Sequence, residues 1–389
     1  MRTYMTRLLG AIVAAGALTA AGLAGTGTAG AAPAPAPGAR TAHPVTAYVA
    51  NNMSGTVTAI NTVTSKVVKT IVVGQDPTMI AITPNGKTAY VASPNCGPCM
   101  GPDIPYGTIT PINTATNKAL KAIKVNAAEI AITPNGRTAY TTNCCNAIGN
   151  DLYKVIPVRT ATNKREKAIK VAAGPDAIAV TPNGRTVYVA SRGYNGLGDT
   201  VTAISTATNK RVKVIKVGRF PTQIVTTPKG RTAYVASRSG VTPIRTATNR
   251  AGKLIKIAGG ASCLAVTPNG RTVYVSARSG VIPVSTVTNR AGKLIKIAGG
   301  AGCLAVTPNG RTAYVGTGTG VVPISTATGK AGPIIKVGWV TYLAITPNGR
   351  TVYVCNSSLN TVTPISTVTN KAGQVINVGL APDFIAITP

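Results

Sequence analysis

The protein is a chain of 389 residues in which 40 Lys and Arg stand against eight Asp and Glu, a formal net charge of +32. Aromatic residues make up only 4% of the chain, whereas Gly and Pro number 42 and 27. The core must therefore come from Val, Ile, Leu and Ala in short strands with many turns, which disfavours a helical bundle. The charge favours polyanionic partners such as nucleic acid, acidic wall polymers or anionic lipid surfaces.

The N-terminus has the pattern of a secretory signal peptide. Arg2 and Arg7 supply a positive start, residues 8–24 form an apolar run, and Ala29-Gly30-Ala31 is a small-residue cleavage site. An uncleaved membrane anchor is the alternative interpretation. We expect three parts, namely a signal peptide at residues 1–31, a Pro/Ala-rich linker at residues 32–44 and a folded domain at residues 45–389. With no later apolar span, the expected protein is secreted, either extracellular or associated with the cell envelope, and carries no transmembrane segment after signal removal.

One motif, IAITPNGKTAYVAS at residues 80–93, recurs through the rest of the chain. Its Thr-Pro pair occurs eight times, at Thr83, Thr133, Thr181, Thr227, Thr267, Thr307, Thr346 and Thr388. Successive pairs are separated by 39 to 50 residues. Repeats of this length are single supersecondary units that bury their apolar face by stacking on copies of themselves. The sequence therefore predicts one array rather than several separate domains.

Each repeat contains four short runs with the alternation of β-strands. In the first repeat they are residues 47–49, 56–60, 66–73 and 79–83. Four strands repeated about every forty residues describe a blade of a β-propeller. The C-terminal run, Phe384 to Thr388, is of the kind that elsewhere precedes a Tyr-Val strand. We therefore predict an all-β propeller of eight four-stranded blades, with seven as the alternative, closed by the C-terminal strand joining the N-terminal blade.

The first repeat reads Tyr48-Val-Ala-Asn, Thr56-Val-Thr-Ala-Ile, Ile71-Val-Val-Gly and Ile80-Ala-Ile-Thr-Pro-Asn-Gly. This pattern, recurring over residues 45–389, resembles the YVTN-type β-propeller repeat of archaeal surface-layer proteins and of secreted or periplasmic bacterial proteins. The resemblance implies a propeller scaffold without one shared chemistry. The Asp that usually ends the second strand of that motif is replaced here by Asn, Arg or Ser, as at Asn61 and Arg159. A cation-binding role of those positions is therefore not expected.

Basic residues recur at one position of the repeat, directly after the Thr-Pro-Asn-Gly turn. We call this set the basic rim; it comprises Lys87, Arg137, Arg185, Arg231, Arg271, Arg311 and Arg350. The rim is a candidate site for an anionic cell-wall polymer or another polyanion. Lysines on the outer strand are interpreted as protection of an exposed sheet edge.

Residues that break the repeat fall on the opposite face, where the chain leaves each Tyr-Val strand and enters each inner strand. We call it the loop face. The residue four positions before each Thr-Pro threonine varies among repeats and is expected to line a mouth of the channel. From this face we predict a site for a protein or small-molecule ligand, with the candidates Asp76, Glu129, Asp176, Phe220, Gln223, Trp339, Tyr342, Asp383 and Phe384. The alternative is that these residues are tolerated loop substitutions and packing residues.

Seven Cys are present, an odd count. Four of them lie in two inserted loops and are interpreted as disulfide staples rather than zinc ligands; they are Cys96, Cys99, Cys144 and Cys145. The single His, His43, lies in the linker, so the propeller can build neither a Ser-His-Asp triad nor a His-ligated haem site.

The sequence thus predicts a monomeric binding module with no cofactor and no metal site, and favours this over an enzyme. Two alternatives stay open. One is a small-molecule lyase or hydrolase, or a metal-dependent enzyme, at the channel mouth, where a carboxylate pair such as Glu129 with Asp176 would act. The other is binding of single-stranded nucleic acid through basic and aromatic side chains.

Overall fold

The computed structural model describes residues 45–94, 107–143, 153–193 and 198–389. These residues form eight antiparallel sheets, each a blade, arranged in a ring. In that part of the chain, the only helix is one 3-10 turn at Asn52–Ser54, and no helix is long and apolar enough to cross a membrane. The predicted all-β, eight-bladed propeller is confirmed.

The strands follow one another in the order expected of stacked blades. Blade 1 contains β1 (Thr46–Asn51), β2 (Thr56–Asn61) and β3 (Lys66–Val72); blade 2 contains β4 (Met79–Ile82), β5 (Thr88–Ser93), β6 (Thr108–Asn113), β7 (Lys118–Ala119) and β8 (Ile123–Lys124). Blade 3 contains β9 (Glu129–Ile132), β10 (Thr138–Thr142), β11 (Lys154–Arg159), β12 (Lys164–Arg165) and β13 (Ile169–Lys170); blade 4 contains β14 (Pro175–Val180), β15 (Thr186–Ser191), β16 (Thr200–Ser205) and β17 (Lys210–Lys216).

The second half of the ring repeats this pattern. Blade 5 contains β18 (Pro221–Thr226), β19 (Thr232–Ser237), β20 (Gly240–Arg245), β21 (Arg250–Ala251) and β22 (Ile255–Lys256); blade 6 contains β23 (Cys263–Val266), β24 (Thr272–Ala277), β25 (Gly280–Ser285), β26 (Arg290–Ala291) and β27 (Ile295–Lys296). Blade 7 contains β28 (Leu304–Val306), β29 (Thr312–Gly316), β30 (Gly320–Ser325) and β31 (Ile335–Lys336); blade 8 contains β32 (Tyr342–Ile345), β33 (Thr351–Asn356), β34 (Thr361–Ser366) and β35 (Ile376–Asn377).

The last strand, β36 (Pro382–Ile387), closes the ring. It pairs antiparallel with β1, placing Ile387 opposite Ala47 and Ile385 opposite Val49, so that blade 1 has the order β3-β2-β1-β36. The predicted closure by the C-terminal strand is therefore confirmed. Since both chain ends of the folded part share one sheet, opening the ring requires breaking that sheet.

The Thr-Pro-Asn-Gly segment folds as a tight turn between the first two strands of a blade. In blade 2, the Gly86 amide donates to the Thr83 carbonyl at 2.8 Å, and the Thr83 hydroxyl donates to Asn85 Oδ1 at 2.7 Å. Pro84 supplies the fixed φ that the second turn position requires, and Gly86 adopts the positive φ of 69° that closes the turn. The turn also packs between blades, because a Cβ on Gly86 would lie 3.5 Å from Pro389 of blade 1.

Buried tyrosines of the Tyr-Val strands tie each blade to the next. The hydroxyls of Tyr90, Tyr234 and Tyr314 each donate to an Asn side chain of the following blade at 2.7 Å. Burial raises the pKa of five of these tyrosines to about 12; they are Tyr48, Tyr90, Tyr140, Tyr188 and Tyr234. Blade 7 differs because Gly329 replaces the Asn, and Tyr274 instead donates to the Thr326 carbonyl at 3.4 Å.

Candidate functional site

The variable position of the inner strands forms a buried ring, which we call the plug. Its members are all 8% exposed or less: Met79, Glu129, Ala177, Gln223, Cys263, Cys303, Tyr342 and Phe384. Side chains from distant blades lie close to each other there. The charge of Glu129 in blade 3 therefore contributes to raising the pKa of Tyr342 in blade 8. The expected lining of the channel mouth is thus a set of side chains packed across the channel.

Several plug residues complete the hydrogen bonding of neighbouring blades. The Ile130 amide donates to Met79 Sδ at 3.0 Å, and the Leu264 amide donates to Gln223 Oε1. In both cases the donor lies one residue after the plug position of the next inner strand. An inner strand has no further strand on its channel side, so these side chains satisfy amides that would otherwise lack a partner. Gln223, a predicted ligand residue, therefore has a structural role.

Two other plug contacts are between side chains. The Tyr342 and Phe384 rings lie with centroids 4.2 Å apart at an interplanar angle of 31°. Cys263 and Cys303, from adjacent blades, are free, buried thiols that lie close enough for each to shift the pKa of the other. Tyr342 and Phe384, both predicted ligand residues, consequently help to fill the channel.

Glu129 is the plug residue that has a buried polar atom without a hydrogen-bond partner in the described part of the chain. Its Oε2 atom is buried and has no hydrogen-bond partner among the described residues. Burial raises the pKa of this carboxyl well above its usual range, and the negative charge of Asp176 raises it further. The protonated, neutral form of Glu129 is therefore favoured.

A cavity of about 350 Å³ opens above Glu129 on the loop face, and we call it the loop-face pocket. Its volume lies within the usual range for small-molecule sites. The charged and aromatic lining consists of Glu129, Asp176, Arg192, Phe220, Arg238 and Arg278, and residues 259–262 form part of the wall. The pocket therefore brings together three of the predicted site residues, Glu129, Asp176 and Phe220.

Three arginines from consecutive blades dominate the electrostatics of this pocket. Arg192, Arg238 and Arg278 each follow directly on a Tyr-Val strand, in blades 4, 5 and 6. The Arg192 guanidinium pairs with Asp176 Oδ1 at 3.2 Å. The other two have no acidic partner among the residues that the structure describes. The residues predicted for the loop-face site did not include them, although the sequence has Arg at this loop position only in these three repeats.

The Phe220 ring contacts two of these arginines. The guanidinium carbons of Arg238 and Arg192 lie 4.2 and 5.4 Å from its ring centroid, within reach of a cation–π interaction. Phe220 has a φ of 56°, whereas the equivalent links of blades 6 and 7 carry Gly260 and Gly300 at similar angles. A bulky residue in this region is strained, and such strain occurs preferentially at functional sites.

The other predicted residues lie apart from this pocket. Asp76 has a φ of 51° and borders a separate shallow cavity with Asn52 and Met53. Burial raises the pKa of Asp383, on β36, to about 6. The Trp339 side chain is 51% exposed, and its ring lies against Gly318 of blade 7. No group of three or more His, Cys, Asp or Glu side chains in the described part of the chain could hold a metal ion.

All seven residues of the basic rim are exposed, on the face opposite the pocket. Their side chains project from the Thr-Pro-Asn-Gly turns, where the backbone amides of Lys87 and Arg137, for example, donate to the Asn of the same turn at 3.0 Å. The four cysteines predicted to staple the insertions fall outside the described residues.

Solved structures resemble this chain in fold. AztD from Citrobacter koseri, in its apo form, is 13% identical over 89% of this chain and 98% of its own, with a TM-score of 0.68. Dihydro-heme d1 dehydrogenase NirN, in complex with DHE, is 14% identical over 88% of this chain and 74% of its own, with a TM-score of 0.71. Hydrazine synthase of Kuenenia stuttgartiensis is 20% identical over 75% of this chain and 95% of its own, with a TM-score of 0.56.

No protein-family model and no curated protein matches the sequence. At such identities the solved structures establish the eight-bladed β-propeller fold alone. The class defined so far is therefore an eight-bladed propeller with a plugged channel and an arginine-lined pocket on one face.

Proposed function

We propose that this protein is a secreted propeller of the YVTN type that works as a binding module. The loop-face pocket is its specific ligand site, and the basic rim faces anionic polymers of the cell envelope. One observation carries the proposal. The face that bears the Thr-Pro-Asn-Gly turns, here called the turn face, repeats the same residues from blade to blade, whereas three residues that break the repeat on the loop face, Glu129, Asp176 and Phe220, line one concave pocket. A closed ring offers such a face a rigid support.

The basic rim supports a weaker, less selective interaction. Its side chains are exposed, evenly repeated and borne on turns, so they present a broad field rather than a shaped site. Binding through such a field releases counterions and weakens steeply with salt. Binding in a partly enclosed pocket depends less on salt, since buried charges are screened less.

A salt series separates these two contributions. The purified protein is bound to immobilised polyanion and to isolated cell envelopes from low to high salt. We expect envelope binding to keep a component at high salt that polyanion binding lacks. Envelope binding that fell in step with polyanion binding would refute a specific site.

The same series locates the salt-resistant component. Phe220→Ala removes the aromatic ring that lines the loop-face pocket, and Val287→Ala is its matched control on the turn face, where Val287 is 80% exposed. We expect Phe220→Ala alone to weaken binding at high salt. Equal effects of the two variants would argue against recognition by the loop face.

A second candidate function is favoured by the carboxyl pair of the pocket. A protonated Glu129 beside an Arg-paired Asp176 is the arrangement by which many lyases and hydrolases separate an acid from a base. This function predicts turnover of an anionic substrate and its abolition in Glu129→Gln. Binding of an anionic substrate without formation of a product would exclude this enzymatic function.

A further inference from the structure

We propose that the loop-face pocket binds a phosphate monoester, held by Arg238 and Arg278 and contacted from below by Glu129. This inference deepens the proposed function and rests on it, because it assigns the chemistry of the ligand to the same pocket.

The walls carry positive charge that the protein itself does not neutralise. Asp176 is paired with Arg192, and Glu129 favours its neutral form, whereas Arg238 and Arg278 lack an acidic partner among the described residues. A concave site with two such guanidinium groups focuses a positive potential on its interior. Guanidinium groups bind phosphate and carboxylate through paired N–H donors, so the complementary ligand is an anion with two charges.

The floor offers a hydrogen-bond donor. Glu129 is 8% exposed, lines the pocket, and its Oε2 has no partner among the described residues. A buried polar atom without a partner is rare in a folded protein and calls for a ligand or a bound water. In its protonated state the carboxyl donates one hydrogen bond. Two guanidinium forks and one O–H donor match the three terminal oxygens of a phosphate monoester better than the two separated planes of a dicarboxylate.

The backbone keeps the two arginines close to the same space. Gly259 and Gly260, with φ of 83° and 78°, pass between the loops that bear Arg238 and Arg278. A Cβ on Gly259 would lie 3.0 Å from the Arg278 Cβ, and one on Gly260 would lie 3.0 Å from the Arg238 carbonyl oxygen. Phe220 acts as a positioning residue, because its ring orients the Arg238 guanidinium from one side.

A phosphate monoester could come from a free sugar or polyol phosphate, or from the end of a phosphate-containing envelope polymer. The pocket recognises the group that both share. Titration with glycerol phosphate and with a short polymer of glycerol phosphate that ends in a phosphate distinguishes the sources. A free-metabolite source predicts tighter binding of the monomer, and a polymer source predicts tighter binding of the polymer.

The test is isothermal titration calorimetry at constant ionic strength, with inorganic phosphate, glycerol phosphate and succinate as probes. We expect the wild-type protein to bind both phosphates more tightly than succinate. In Arg278→Gln the affinity for phosphate should fall at least about tenfold, the usual effect of losing a hydrogen bond to a charged group. The matched control is Arg271→Gln, which removes the same charge from the opposite face and should change the affinity less than about twofold, because exposed distant charges are screened.

A second pair of variants tests the floor. Glu129→Gln keeps a donor and should retain phosphate binding, whereas Glu129→Leu removes the donor and should weaken it several-fold. Absence of phosphate binding by the wild type, tighter binding of succinate, or equal losses in Arg278→Gln and Arg271→Gln would each overturn the proposal. If salt-resistant envelope binding persists while phosphate fails to bind, the ligand class is wrong and the proposed function stands. If both fail, the proposed function is wrong as well.

Discussion

Blade 7 lacks an inter-blade hydrogen bond that its neighbours have, and restoring that bond should stabilise the protein. Six tyrosine hydroxyls of the ring donate to an Asn side chain of the following blade. Tyr274 meets Gly329 at this position and reaches the Thr326 carbonyl at 3.4 Å instead. The change to make is Gly329→Asn.

The structure indicates that the new side chain fits. Gly329 has a φ of 68°, close to the 50° to 54° of the equivalent Asn residues. A Cβ placed there would meet only the Ile295 Cδ1 atom, at an ordinary 3.9 Å. The new hydrogen bond adds about 1 kcal/mol to the free energy of unfolding. Replacing Gly also reduces the conformational entropy of the unfolded chain, which adds about 0.4–1 kcal/mol. The steric cost of holding Asn in the left-handed region offsets part of this stabilisation, so we expect the free energy of unfolding to rise by about 1 kcal/mol in total.

Chemical denaturation followed by circular dichroism measures the effect. The matched variant is Asn370→Gly, which removes the same bond one blade further on, where the Tyr314 hydroxyl donates to Asn370 at 2.7 Å. We expect the denaturation midpoint to rise in Gly329→Asn and to fall by a similar amount in Asn370→Gly. If Gly329→Asn lowers the midpoint, or Asn370→Gly leaves it unchanged, the tyrosine bonds do not hold the blades together.

Two further predictions follow from ionisable groups in the core. Since the pKa of Glu129 is raised in the folded state, its contribution to stability is present below its unfolded pKa of about 4.3 and is lost as the pH rises through the folded value. Glu129→Gln should therefore unfold at a higher temperature than the wild type at neutral pH and match it near pH 4; an equal difference at both pH values would contradict the burial of a titrating acid. The buried tyrosines, with a pKa of about 12, stabilise the fold below an unfolded pKa of about 10 and lose that contribution between pH 10 and 12. Phenolate absorbance should consequently appear together with the loss of circular dichroism, and phenolate formation in an intact fold would show that these hydroxyls are accessible.

The fold could be predicted from the sequence because each of its determinants occurs many times. Pro84 and Gly86 mark a turn, and the same turn at each later repeat sets the length of the structural unit. The closing strand could be predicted as well, since the first and last runs of the chain complete one blade. Repetition thus replaces the information that a single short strand lacks.

The candidate site was predictable only in part. Glu129, Asp176 and Phe220 stand out because they break the repeat, and the pocket does contain them. Arg238 and Arg278 looked like two more positive charges among 40, and only the ring geometry reveals that consecutive blades direct them to one cavity. The contacts of the plug could not be predicted for a related reason, because the sequence does not show that a Gln or Met on an inner strand reaches an amide of the next blade.

The most direct test compares two double variants with the same loss of charge. Arg238→Gln/Arg278→Gln removes two positive charges from the walls of the loop-face pocket, and Arg271→Gln/Arg311→Gln removes two from the basic rim. Binding of both proteins to isolated cell envelopes is measured across a salt series. We predict that the pocket variant loses the salt-resistant component, whereas the rim variant keeps it and shows a shallower salt dependence. Equal weakening of both variants at every salt concentration would show that total charge, and not the loop-face pocket, accounts for binding.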